Sequence, residues 1–211
     1  MAGIAFAVLF ALAITLLNDL PVFEAGDAAI EAWFAAGDDI TVVVSALYLL
    51  PFAAIAFLWF LAVVRDQIGE REDRFFGTVF YGSGILFVAL LLTSAGVIGS
   101  MVVGVRFLGQ EAPSAETFDT IQAMGYTLLL MIGSRAVALF VLSTATIGLR
   151  FGVFPRWFVL VGYAIGLILL LVVTFWELVM YVVSAWVLLV SLFILRRAPE
   201  SQATSAEGAP A

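Results

Sequence analysis

From Ile40 to Val64 no charged residue interrupts the chain, and none interrupts it from Phe75 to Val105. In lipid every backbone amide must be satisfied inside its own segment, and a helix needs roughly 20 apolar residues to cross a core of about 30 Å. Runs of this kind therefore fold as membrane helices. Six are read: about 3–18, 40–64, 75–105, 120–148, 157–175 and 178–195. The expected fold is all-α, a polytopic transmembrane helix bundle of about six spans filling residues 1–197. Residues 198–211, rich in Ala, Ser, Glu and Pro, read as a disordered cytoplasmic tail.

Composition narrows the chemistry. The chain is 64% hydrophobic and 12% charged, whereas soluble domains are near half apolar and about a quarter charged. An ordinary cytosolic enzyme and a disordered regulator are both excluded. Histidine and cysteine are absent, which removes disulfides, Cys/His metal sites, the Ser-His-Asp triad and His- or Cys-ligated haem. No catalytic residue, cofactor or metal is expected. Carboxylates, arginine, hydroxyls and backbone remain. A formal net charge of −7 disfavours nucleic acid, which needs a concentrated basic patch.

The loops set the orientation. Arg65, Arg71, Arg74, Arg150, Arg156, Arg196 and Arg197 all fall on one side of the spans, which the positive-inside rule makes cytoplasmic. The other side carries Arg106 and the acids Asp19, Glu24, Asp27, Glu31, Asp38, Asp39, Glu111, Glu116, Asp119 and Glu177. Six spans with both termini inside satisfy every loop of a multi-pass protein in the cytoplasmic (cell) membrane. The first run has no basic flank and reads as a span, with a cleaved signal segment as the alternative. The third, at 1.5 Å per residue, is about 46 Å long, so it tilts or its last turns stand outside.

In the outer loop 21–39, Asp27 is expected to cap a short helix ending near Gly37. Ile30, Trp33 and Phe34 then share one face, an amphipathic segment at the outer interface with Trp33 as its anchor. This is a surface lid over the bundle, with a substrate gate as the alternative. The inner connector 65–74 mixes arginines with acids and reads as a solvated link.

Arg135 stands near the centre of the fourth run. A charge at that depth costs about 2.5–3.5 kcal/mol on insertion scales and should face the bundle interior. No carboxylate shares its depth. Its expected partners are the hydroxyls of Tyr48, Tyr81, Ser83 or Ser94, the ring of Trp186, and the Leu47 carbonyl that Pro51 leaves without a helical donor. It is either an anion, headgroup or gating site or a staple between helices.

Glu177, Tyr181 and Ser184 follow i, i+4, i+7 on the sixth run, with Ser191 two turns on, a polar stripe that lines a cavity or packs against a neighbour. Gly96, Ser100 and Gly104, spaced by four, and the Gly162/Gly166 pair are small-residue seams expected to pack helices within the chain. Gly82-Ser83-Gly84 lacks the lysine and the strand-to-helix setting of a phosphate loop. The outer acids form no EF-hand-like cage, and no run supplies the paired carboxylates of an intramembrane aspartyl protease.

The turn Phe154-Pro155-Arg156-Trp157, opening a run with Gly162 and Gly166, and the ending from Trp186-Val187-Leu188-Leu189-Val190 to Arg196-Arg197 resemble families of bacterial multi-spanning integral membrane proteins. The likeness covers the C-terminal third. Those families have no settled activity, so the resemblance implies a membrane bundle and no site residue. The expected role is a non-enzymatic accessory or assembly subunit, with the bilayer and a membrane-protein partner or second copy as its neighbours. A small-solute or ion transporter with a polar site near Arg135 is the alternative, and a lipid-modifying enzyme built on outer acids the third.

Overall fold

The computed structural model describes the backbone of residues 1–68, 74–150, 152, 154–172 and 177–207. The connector at 69–73, the end of the fifth run at 173–175 and the tail from 208 lie outside the described residues. What is described is helical and contains no strand. α1 is Ala2–Leu17, α2 is Asp27–Ala36, α3 covers 40–68, and α4 is Arg74–Leu108. α5 is Ala115–Arg150, α6 is Arg156–Leu171 and α7 is Leu178–Glu207. α7 is helical to Glu207.

The boundaries follow local chemistry. Gly37 ends α2 in the left-handed region at φ +82°, and Gly109 ends α4 at φ +67°. Pro155 precedes the first residue of α6, where its missing N–H costs nothing. Inside α3 and α5 the winding widens to a π-helix, at Val43–Leu49 and Thr127–Gly133. The first lies just before Pro51: the Leu50 amide donates to Ser45, five residues back.

Four stretches are long and apolar enough to cross a membrane: Ile40–Arg65, Phe76–Leu108, Ala115–Arg150 and Leu178–Arg196. These make the chain a membrane-type protein. The other two expected spans are the apolar helices α1 and α6, of 16 residues each. Each is about 24 Å long, shorter than the hydrocarbon core.

The six long elements pack in chain order, α1 on α3, α3 on α4, α4 on α5, α5 on α6, α6 on α7, and α7 returns to α1. Lipid tails are as apolar as the side chains, so close packing has to hold the helices together. Phenylalanines supply much of it. Phe6 and Phe57 lie 4.8 Å apart, Phe57 and Phe87 5.3 Å, Phe57 and Phe140 5.2 Å, linking α1, α3, α4 and α5. Such pairs contribute about 0.5–1.5 kcal/mol each beyond their area. On the other side Phe158 of α6 stacks on Trp186 of α7 at 4.6 Å and 5°.

The glycine seams divide. Gly162 meets Trp186 and Ala145, and Gly166 meets Leu142 and the Ala138 carbonyl, so this pair packs α6 against α5 and α7 as expected. Gly96 faces open space, Ser100 is exposed and donates to the Val97 carbonyl of its own helix, and Gly104 neighbours Gln110. Among the described residues that stripe packs against no second helix; it faces outward because the adjacent face of α4 makes the contacts. Gly99 takes Leu47 there, and Ser94 donates to the Gly125 carbonyl of α5 at 2.8 Å.

Candidate functional site

A charge in the middle of an apolar run is the first place to look. Arg135 follows the wide turn of α5 by two residues. A π-turn shifts hydrogen bonds from i+4 to i+5 and leaves a carbonyl for other donors. The Met131 carbonyl accepts from the Ser134 hydroxyl at 2.9 Å and from Arg135 Nη1. Gly133 allows this winding, since a Cβ there would stand 3.1 Å from the Leu128 carbonyl. Arg135 is half-buried and lies on α5 between Ile132 and Leu139, which are 45% and 41% exposed. The guanidinium is therefore tied to its own helix on an outer flank, not buried in the interior as expected.

None of the partners expected for Arg135 is bonded to it. Tyr48 is exposed on α3. The Tyr81 ring carries the Arg65 guanidinium at 5.3 Å. Trp186 is stacked on Phe158, Ser83 bonds to Phe80 of its own helix, and Ser94 serves Gly125. Pro51 is answered by the wide turn before it, with Leu47 packed on Gly99. A cavity of about 40 Å³ lies near Met1 among Gly3, Phe60, Val63 and Ser191, away from Arg135.

The polar stripe divides: its first part packs on neighbouring helices, while Ser191 of α7 lines the small cavity beside Gly3. Tyr181 Oη pairs with Thr15 of α1 at 2.9 Å, and Ser184 donates to Met180 of its own helix. Glu177 accepts from Tyr126 Oη of α5 at 3.3 Å. Burial raises the Glu177 carboxyl above its ordinary 4.5, and the Tyr126 hydrogen bond pulls the other way.

The end of the bundle that holds Asp39 is tied together by side chains. Asp39, 1% exposed, takes a two-pronged contact from Arg106 across the α3–α4 junction. Asp27 is the first residue of α2 rather than its cap; its carboxylate accepts from the Ala115 amide at 2.6 Å and ties α2 to the start of α5. Trp33 is turned inward, edge-on to Phe118 at 5.8 Å, so it anchors α2 to the bundle and not to headgroups. Asp119 Oδ2 accepts from the Glu24 amide at 3.0 Å, and Gln122 Nε2 reaches the Pro21 carbonyl at 3.4 Å. With Tyr126, these form a ladder at i, i+3, i+7 of α5 facing the loop after α1. That spacing was readable in the sequence, but Gln122 and Tyr126 carry no charge to attract notice. Comparison with protein-family models, curated proteins and solved structures found no match to this chain.

Proposed function

We propose that the chain is a six-span protein of a bacterial-type cytoplasmic membrane, with both termini inside, and acts as a non-enzymatic accessory or assembly subunit. Arg65, Arg150, Arg156 and Arg196 gather at the end of the bundle that holds Met1, while Asp39, Asp119 and Glu177 lie at the opposite end. The positive-inside rule turns that sorting into an orientation, with α1 and α6 as short spans.

The carrying observation is Arg135 on the outer flank of α5. One backbone carbonyl satisfies few of the five donors of a guanidinium. A charge held there at mid-depth is expensive in acyl chains and is relieved when a neighbouring helix brings a carboxylate or hydroxyl against it. The flank of Met124, Ile132, Arg135 and Leu139 is thus read as a docking face for a membrane partner.

The test is Arg135→Leu, with complex size read by native electrophoresis of mildly solubilised membranes. The wild-type chain is expected in a larger species and the variant in a smaller one, at equal thermal stability. Unchanged size sinks the reading. Solute flux in proteoliposomes of the purified chain, lost in Arg135→Leu, would favour a transporter instead.

A further inference from the structure

Buried hydroxyls in these helices usually turn back on their own backbone. Ser83, Ser134, Ser143, Thr144 and Ser184 each donate to a carbonyl three or four residues earlier. Ser191 of α7 does not: it is 5% exposed, and its Oγ has no hydrogen-bond partner. This hydroxyl stands in the wall of the cavity of about 40 Å³ between α1, α3 and α7. Gly3 lies against it, and a Cβ there would collide with Ser191 Oγ and with Phe60.

The wall made by α1 supplies more donors. Ala2 and Gly3 line the cavity and open the helix, whose first hydrogen bonds run from the Ile4 and Ala5 amides to the Met1 carbonyl at 3.1 Å. The amides of Ala2 and Gly3 come before those bonds and meet no carbonyl of their own helix. They form the positive end of a 16-residue helix. Two amides and a hydroxyl at the walls of one space, with no acid among the described residues around it, suit an acceptor oxygen that carries negative charge.

Size and setting narrow the group. One water needs about 10–15 Å³ of such space, so there is room for about three oxygens, as on one phosphate. A terminal phosphate enters end-on, whereas a phosphodiester has to bring a second substituent in with it. The mouth lies at Met1 and Val63, which are 83% and 45% exposed. Val63 is two residues from Arg65, the last residue of its span. The cavity therefore opens at headgroup depth, on the end of the bundle where the arginines gather, and a field of that sign concentrates anions.

We propose that this cavity binds a phosphomonoester through the Ser191 hydroxyl and the Ala2 and Gly3 amides. The group is presented by a lipid headgroup at the apolar rim or arrives as free phosphate. The site is separate from the Arg135 flank and does not rest on it.

The test reads thermal unfolding of the full chain in phosphatidylcholine nanodiscs. Phosphatidic acid or phosphatidylglycerol is added at matched total charge, or inorganic phosphate is added without either. Phosphatidic acid is expected to raise the unfolding temperature more than the diester does. An equal rise with inorganic phosphate identifies free phosphate as the source, and no rise identifies the lipid. Ser191→Ala should weaken phosphatidic acid binding by about tenfold or more, read as adducts retained in native mass spectrometry. Without the phosphomonoester the same variant should be as stable as wild type or more so, because it removes an unsatisfied buried group. If Ser191→Ala does not fold, Ser191→Cys decides, since a thiol of similar size is a weak donor. Equal stabilisation by the two lipids, or binding that the Ser191 variant retains in full, overturns the proposal and assigns the effect to the surface arginines.

Discussion

Gly162→Ala and Gly96→Ala make the same chemical change in two helices and should have opposite consequences. A Cβ at Gly162 would lie 2.5 Å from Trp186 Cη2 and 3.0 Å from the Ala145 Cβ. Carbon atoms rest at about 3.5–4.0 Å, so the overlap is about 1 Å. Trp186 has nowhere to go: it is 1% exposed and stacked on Phe158, which Phe154 and Phe193 hold at 5.0 and 4.8 Å. The helices must part instead. Overpacking of this kind costs about 1–3 kcal/mol, against a gain of up to about 1 kcal/mol for replacing a helical glycine. Gly162→Ala is therefore expected to lose up to about 2 kcal/mol net. At Gly96 nothing lies within 4 Å, so only the helix-propensity gain applies and the variant should be neutral or up to about 1 kcal/mol more stable. Tryptophan fluorescence during reversible SDS titration in mixed micelles measures both. Equal stabilities for the two variants would refute the assignment of faces. A concentration-dependent loss in Gly96→Ala would instead place a second copy against that stripe.

Two further outcomes are expected. Burial makes the folded chain bind the Glu177 proton more tightly than the unfolded one, so its contribution is complete below pH 4.5 and is lost as pH rises through the raised folded value. Glu177→Gln should flatten that decline in Tm; a Tm–pH curve parallel to wild type would contradict it. Arg106→Ala should lower Tm more than Asp39→Ala, since the first strands a buried carboxylate and the second leaves an arginine that can turn to water. The reverse order in differential scanning fluorimetry would mean that Asp39 is not buried in solution.

The helices were legible because apolar length and a helix's closed hydrogen bonding dictate them without reference to neighbours. Faces were not. Spacing by four identified both Gly96/Ser100/Gly104 and Gly162/Gly166, but spacing does not say which of several faces meets a helix and which meets lipid. Arg135 was found by charge and depth, yet its surroundings depended on a wide turn that no residue type announces. Each such turn adds a residue to one winding, so the face above it is not the continuation of the face below. Asp39 and Arg106 were both named as outer charges; their pairing needed the α3–α4 junction, which is distant in sequence. The Asp119, Gln122, Tyr126 ladder was hidden by a preference for formal charge over hydrogen-bonding capacity.

The two short helices have a mechanical consequence for the surrounding lipid. α1 and α6 both border α7, and each shows lipid an apolar surface, Val8 and Leu12 on one, Leu160, Leu167 and Leu171 on the other. Each is about 24 Å long, against about 46 Å for the uncharged run 75–105 of α4. On the six-span reading proposed above, hydrophobic mismatch differs around the perimeter: acyl chains are expected to compress beside α1 and α6 and relax beside α4 and α5. Shorter-chain lipids should gather along the thin side, and a thick, sterol-like membrane should penalise that side first. In a reconstituted bilayer the protein is expected to act as a wedge, with a preferred tilt set by the difference between its two edges.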